Sequence, residues 1–166
     1  MVSLVQARIH HLKALLEKGE HSQIGEYTSV KDEEVAPSFL LEFAIGKLIE
    51  DAVNSFWWSP RLIVAQKKIV GTIGFKSIPN LKRLDCSVEI GYGIVPSQQN
   101  KGFATEAVNL ILEEAFSVSQ IKTVVASTHP HNKPSQRVLE KNGFTKEKSK
   151  INLEDGEIWV WKKTKP

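Results

Sequence analysis

Ile94-Val95-Pro96-Ser97-Gln98-Gln99-Asn100-Lys101-Gly102-Phe103-Ala104-Thr105-Glu106 is the stretch on which the reading of this chain turns. A strand over Val88–Val95 ends at Pro96. A helix opens near Gly102, with Ala104, Val108, Ile111, Leu112 and Ala115 as its apolar stripe. The first turn of a helix has unpaired N–H groups and the positive end of the dipole, which suit a phosphate or pyrophosphate. Gly102 and Ala104 are small, so backbone can approach an anion closely. Lys101 adds a positive charge at that mouth. Glu106 complements the dipole from the first turn and is expected to point away from any phosphate. Strand, turn and helix also describe an ordinary helix start. No G-x-G-x-x-G follows Val95 and no G-x-x-x-x-G-K-[ST] occurs, so Rossmann and P-loop readings lose their main support.

Outward from this loop, the periodicities order the rest of the chain. Leu4–Ala7 reads as a short strand or a helix lead-in. Ile9, Leu12, Leu15 and Leu16 repeat at helical spacing, with Gly19 as the stop, and His21–Lys31 reads as loop. Pro37 precedes a long amphipathic helix with Phe39, Leu40, Phe43, Ile45, Leu48, Ile49 and Val53 on its stripe, and Phe56-Trp57-Trp58-Ser59-Pro60 breaks it. The period then becomes that of strands: Leu62–Ala65, a Gln66–Lys68 turn, Val70–Phe75, a second turn at Pro79–Arg83, then Val88–Val95. After the helix come a strand at Val124–Ser127 and a short helix over Pro134–Asn142, with Pro134 in its first turn and Gly143 as its stop. A terminal hairpin is expected from Phe144–Lys148 and Glu157–Lys162. A helical first third, an antiparallel meander and a β-α-β-α-β passage give an α+β fold with a mixed sheet.

The chain has 166 residues, 41% apolar and 25% charged, which suits one domain over 1–166. Its single cysteine, Cys86, excludes an internal disulfide framework and a multi-cysteine metal site. Cys86 reads as a small buried residue rather than an acyl-carrying nucleophile, since no His–Asp context accompanies it. No apolar run approaches the ~20 residues of a membrane-spanning helix, and the N-terminus has no secretory apolar region. A cytoplasmic setting is the expectation. Net charge is +3 with scattered lysines, so no nucleic-acid partner is expected.

Gln99-Asn100-Lys101-Gly102-Phe103-Ala104 resembles the Q/R-x-x-G-x-G/A signature of the GNAT superfamily of N-acetyltransferases. Glu89-Ile90-Gly91-Tyr92 and Ala104-Thr105-Glu106-Ala107 resemble its branch related to ribosomal-protein N-terminal acetyltransferases. So does Asn132-Lys133-Pro134-Ser135-Gln136-Arg137-Val138-Leu139-Glu140-Lys141-Asn142-Gly143-Phe144, which matches N-x-x-S-x-x-V-L-E-K-x-G-F. The resemblance covers roughly residues 70–144. It implies a mixed, twisted sheet, mostly antiparallel and splayed between two adjacent parallel strands, with helices on both faces. It implies acetyl-CoA as co-substrate and a primary amine as acceptor, attacked directly in a ternary complex. The acceptor is left open among a protein N-terminus, an amino acid and other small amines, and the assembly between monomer and homodimer.

The resemblance also assigns residues. Backbone N–H groups from Asn100 to Thr105 are expected to hold the pyrophosphate, and Ile94 and Val95 the pantetheine. The donor-binding set is Ile94, Val95, Gln99, Asn100, Lys101, Gly102, Phe103, Ala104, Thr105, Asn132 and Ser135. Asn132 also suits a helix N-cap. Asn100 stands where the family often has Gly, and Asn tolerates the left-handed region. Gly91 and Gly93 thin one strand face, for close approach of the thioester or for a bulge. Glu89 shares that face and matches the general base of the histone-acetyltransferase branch; a salt-bridged carboxylate is the alternative. Leu139 departs from the Tyr that many members use to protonate the thiolate, which leaves Ser135 as the candidate acid. His129 is a second candidate base; with His131 it lacks the further ligands a metal would need, and no metal is expected. His10 and His11 read as solvated. Trp57 and Trp58 read as a clasp between helix and sheet or as part of the acceptor mouth, and Trp159 and Trp161 as core or a dimer contact. A non-catalytic acyl-CoA-binding regulatory domain is the alternative function, and a nucleic-acid or protein interaction module a third.

Overall fold

Strand periodicity takes over from helical periodicity at Pro60, where the central antiparallel strands of the sheet begin. The computed structural model describes residues 1–17 and 23–166. In order come β1 (Ser3–Gln6), α1 (Ile9–Leu16), β2 (Gln23–Ile24), β3 (Tyr27–Ser29), α2 (Ser38–Glu50), α3 (Ser55–Trp58), β4 (Arg61–Ala65), β5 (Lys68–Phe75) and β6 (Cys86–Ile94). Then follow α4 (Phe103–Ser117), β7 (Ile121–Thr128), α5 (Lys133–Lys141), β8 (Thr145–Asn152) and β9 (Gly156–Thr164). The sheet order is β1-β4-β5-β6-β7-β9-β8, with β3 beside β5. Its neighbours are antiparallel except β6–β7 and the short β3–β5 pair. This is the mixed α+β sheet that the resemblance implied. Among the described residues no helix is long and apolar enough to cross a membrane.

Both faces of the sheet are covered. On β4, Ile63 and Ala65 enter one core and Leu62 and Val64 the other, as the two-residue period dictates. Ala107, Val108, Ile111, Leu112 and Ala115 of α4 pack on the first face, with Leu139 of α5 fully buried beside them. Leu12 of α1 and Leu41, Ala44 and Leu48 of α2 cover the second. Arg61 lies almost wholly inside. Its Nε and Nη2 donate to Glu114 at 2.8 and 2.7 Å, and its Nη1 to the carbonyls of Phe56 and Ser59 at 2.7 Å. It stacks on Phe56 and Phe75 and so ties α3 to α4. Burial pushes its pKa down, and Glu114 opposes that shift.

Several elements differ from the sequence reading. Within the stretch read as loop, Gln23–Ile24 and Tyr27–Ser29 pair as two very short strands across Gly25, which has φ +61°. Runs this short carry no period to read. The expected stop at Gly19 and the start of that loop at His21 lie outside the described residues. The long helix ends at Glu50 rather than near Val53, because Asp51 leaves the helical region at φ −140°, ψ 60°. Its buried stripe is Leu41, Ala44 and Leu48, while Phe39, Leu40, Phe43, Ile49 and Val53 are exposed. The packing face follows Leu41, Ala44 and Leu48 at i, i+3 and i+7, clear of Glu42, Lys47 and Glu50, and the bulky but exposed Phe39, Phe43 and Ile49 drew the expected stripe off it. The terminal hairpin is longer than its apolar residues indicated, since β8 is almost entirely exposed and pairs through its backbone. The Gln66–Lys67 turn has φ 49° and 64°, the two positive values of a two-residue hairpin.

The functional geometry begins where β6 and β7 part. Their parallel pairing ends at Ile90 and Ala126, yet β6 continues against β5 through Ile94. The Glu89 carbonyl and the Val95 N–H point to β5, accepting from Lys76 and donating to Val70. By alternation, the backbone groups of Tyr92 and Ile94 face the opening wedge.

Candidate active site

Three cavities meet along this wedge. A groove of about 410 Å³ runs between the turn after β6, the start of α4 and one face of α5. Of the expected donor-binding residues, Ile94, Gln99, Asn100, Gly102, Phe103, Ala104, Thr105, Asn132 and Ser135 line it. Asn100 and Gly102 adopt φ 61° and 82°, and this pair of left-handed residues bends the chain into α4. Gln99 Nε2 donates to the Ile94 carbonyl at 3.0 Å, and Ser97 N–H to Glu33 at 2.9 Å, so both ends of the turn are held. Phe103, Ala104 and Thr105 are the first residues of α4, whose N–H groups lack acceptors within the helix. Glu106 accepts from the Val2 N–H at 2.8 Å and does not line the groove, as expected of a carboxylate near an anion site.

Two expected residues do not line the groove. Val95 is 2% exposed, with its N–H committed to Val70, so the wedge-facing backbone belongs to Ile94 and Tyr92. Lys101 donates to Gln98 Oε1 at 2.9 Å and stays outside the lining. The cations that do line it are Arg137 and Lys141, one turn apart on α5. Neither was among the expected donor-binding residues, because only the packing of α5 across from α4 brings them to the groove.

Asn132 caps α5, its side chain accepting from the Ser135 N–H at 3.2 Å. Ser135 Oγ lies 2.7 Å from the Tyr92 hydroxyl, which can also donate to the Ser135 carbonyl at 3.2 Å. Burial pushes the Tyr92 phenol up from its ordinary value, and the Ser135 hydrogen bond works against that shift. Tyr92 entered the sequence reading only as a motif letter. Leu139, where many relatives have Tyr, is sealed in the core.

A second cavity, of about 570 Å³, lies beneath α2 and shares Tyr92, Gly93, Asn132 and Ser135 with the groove. The space above the Gly93 Cα is open, whereas a Cβ on Gly71 would meet the Gly93 carbonyl at 2.0 Å. No register shift interrupts β5–β6 here, so Gly91 and Gly93 form no bulge. The tryptophan pair divides its labour: Trp57 is core, against Phe56 and Phe75, and Trp58 lines this second cavity.

Glu89 opens onto a third, polar space of about 320 Å³ with His129. Its carboxylate accepts from Lys76 Nζ at 2.8 Å and Ser127 Oγ at 3.1 Å. Ser127 lines both the second and third cavities and connects the space beneath α2 with Glu89. Elsewhere, the Cys86 thiol is buried and within hydrogen-bond distance of the Asn80 and Arg83 carbonyls. Trp161 is core, its indole donating to Thr128, while Lys146 sits 3.2 Å over the Trp159 ring. His10 is exposed; His11 Nδ1 accepts from the Arg8 N–H, and burial lowers its pKa. No metal-binding group of His, Cys, Asp or Glu occurs among the described residues.

Comparison with known proteins gives a consistent result. The chain matches the acetyltransferase (GNAT) domain family over residues 2–145. It is 36% identical over 81 residues to the uncharacterized N-acetyltransferase YoaA of Bacillus subtilis, covering 49% of this chain and 44% of that protein. It thus spans less than half the length of that relative. RimL, a ribosomal-protein alpha-N-acetyltransferase solved with coenzyme A, superposes with a TM-score of 0.72 at 18% identity, over 98% of this chain and 93% of that one. The aminoglycoside acetyltransferase AAC(6')-Ib, also solved with coenzyme A, gives 0.67 at 16% identity, over 99% and 95%. At such identities these structures speak for the fold. The matched span takes in the splayed strands, the α4 turn and all of α5, and the chain belongs to the GNAT acetyltransferase family.

Proposed function

We propose that this chain transfers the acetyl group of acetyl-CoA to a primary amine by direct attack in a ternary complex. The observation that carries this reading is the junction of the phosphate-suited groove with the cavity beneath α2, across Tyr92, Gly93, Asn132 and Ser135. A pantetheine arm entering along the groove brings its thioester to the place where an amine in the second cavity can reach it. RimL and AAC(6')-Ib act on a ribosomal protein's α-amine and on an aminoglycoside, so amine acceptors fit the same frame.

The α4 turn binds the pyrophosphate through N–H groups of residues 100–105. Arg137 and Lys141 supply the counter-charge. Wedge-facing groups of Ile94 and Tyr92 orient the pantetheine amides. Ser135 donates a hydrogen bond to the departing thiolate while Tyr92 holds its hydroxyl. Full proton transfer from the phenol is not required. A phenol near 10 against a thiol near 8.5 makes that transfer uphill by about 2 kcal/mol even before burial raises the phenol. The pair therefore stabilises developing charge. On the other side, the amine proton leaves through Ser127 or water toward Glu89. An α-amine near 8 is partly neutral already, whereas a lysine-type amine near 10.4 depends more on that base. Retained turnover of α-amines by Glu89→Gln points to water, or to His129, as the acceptor of the proton.

Thermal melting with acetyl-CoA, against NAD and ATP as controls, tests the reading. At a hundredfold excess over Kd, binding to the folded state alone adds about 2.7 kcal/mol, roughly 5–10 °C in Tm for a chain of this size. A shift with acetyl-CoA alone, followed by thiol release with amines, upholds it. No shift at millimolar ligand removes it. A shift without thiol release from any amine supports a non-catalytic acyl-CoA-binding domain instead.

A further inference from the structure

We infer that the acceptor of this chain is a monoamine: one primary amine on an aliphatic or aromatic body, with no further positive charge. The inference rests on the acetyl-transfer reading above and deepens it. The cavity beneath α2, at about 570 Å³, lies within the range of small-molecule sites. Leu40 and Phe43 of α2, Trp58 of α3 and Phe75 of β5 give its walls their apolar character. Its lining contains one charged residue, Lys76, and no carboxylate.

Three carboxylates beside its lining residues already have partners. Asp51 accepts from the Trp58 indole at 2.9 Å and from Asn54. Glu89 accepts from Lys76, and Glu50 pairs with Lys47 at 3.2 Å. The aromatic pair is also served. Phe43 and Trp58 meet edge to face with centroids 6.1 Å apart, and Lys47 Nζ stands 5.5 Å from the Trp58 centroid and 5.8 Å from that of Phe43. An ammonium seeking these ring faces finds a cation there first. A polyamine or aminoglycoside would bring further ammonium groups into a space that offers none of them a counter-charge, so each would lose hydration without replacement. A single amine aimed at the thioester gives up its proton at the polar end, near Ser127, and lays its apolar body on Trp58 and Leu40.

The same chemistry occurs in free hydrophobic amines and at peptide N-termini that begin with a hydrophobic residue. The experiment compares kcat/KM by thiol release for 2-phenylethylamine, isoamylamine and a Phe-Ala-Ala peptide against spermidine, kanamycin and an Asp-Ala-Ala peptide. Wild type and Phe43→Glu are assayed, and each protein is melted with acetyl-CoA. A hydrophobic pocket discriminates by about 10- to 200-fold. Apolar monoamines are expected to lead the polycations by at least roughly 10-fold on that scale. Phe43→Glu is expected to narrow or reverse the gap with its acetyl-CoA shift intact. The leading arm within the apolar set identifies the source, free amine or peptide. Equal or better turnover of the polycations, with a normal acetyl-CoA shift, overturns this inference and leaves acetyl transfer standing. Loss of the acetyl-CoA shift in wild type, or no turnover of any amine, overturns both.

Discussion

The groove at the start of α4, proposed to hold the donor, and the cavity beneath α2, proposed to hold the acceptor, share four residues but are built in different ways. The groove is made of backbone: a turn with two left-handed residues, the first N–H groups of one helix and one face of the next. The cavity is made of side chains that converge from α2, α3, β5 and β6. Backbone geometry is dictated over a few consecutive residues, so the groove is a local object. The cavity exists only when separate segments are packed around it. One frame can thus keep a constant donor site while its acceptor wall changes residue by residue.

The largest expected effect comes from breaking the backbone half. Valine at position 102 would have to adopt φ near +82°, where a β-branched residue is a marked outlier. Gly102→Val is expected to abolish the acetyl-CoA melting shift and lower kcat/KM by about 100-fold, the scale of a 1 Å misplacement. A full shift in that variant would show that the groove is not built as described. Trp58→Ala tests the other half. Roughly a 30-fold rise in the amine KM is expected, with the acetyl-CoA shift unchanged, in keeping with hydrophobic-pocket discrimination. Equal damage to both ligands would dissolve the distinction between the two halves.

Arg137→Ala with Lys141→Ala sharpens the donor side. Both side chains are exposed, so an effect of about 10-fold on acetyl-CoA affinity at low salt is expected, shrinking as salt rises. A salt-independent loss would mean a packing role instead. Tyr92→Phe probes the shared boundary. A severalfold lower kcat is expected with the acetyl-CoA KM unchanged, and Ser135→Ala should leave little further for it to remove. The smallest effect is on stability at high pH. The Tyr92 pKa is raised on folding, so the folded chain keeps a proton that the unfolded chain loses above about 10. That contribution is full below pH 10 and fades as pH climbs toward the folded value. Tyr92→Phe should therefore lose Tm less steeply than wild type above pH 10, and parallel curves would remove the burial argument.

Particular residues show how far sequence reading reached. Asn100 in the left-handed region, Asn132 as a cap and Glu106 turned from the groove were all legible, because each follows from rules that act within one turn of chain. The Lys101 ammonium bonds to Gln98 at the edge of the groove, a placement that charge and sequence position do not dictate. Arg137 and Lys141 were overlooked because only the packing of α5 across from α4 makes them neighbours of the turn. The Tyr92–Ser135 contact joins positions 43 apart, and no period announces it.

By itself, the sequence determined the order of the longer elements from α2 onward, the change of period at Pro60 and the turn from β6 into α4. It did so because backbone preference and side-chain alternation are local properties. The tertiary structure decided which apolar residues of α2 are buried, which tryptophan meets the cavity and how Ser127 joins Glu89 to the space beneath α2. Those outcomes depend on which surfaces compete for the same core, and on α2 the exposed Phe39, Phe43 and Ile49 rival Leu41, Ala44 and Leu48 until the sheet is in place.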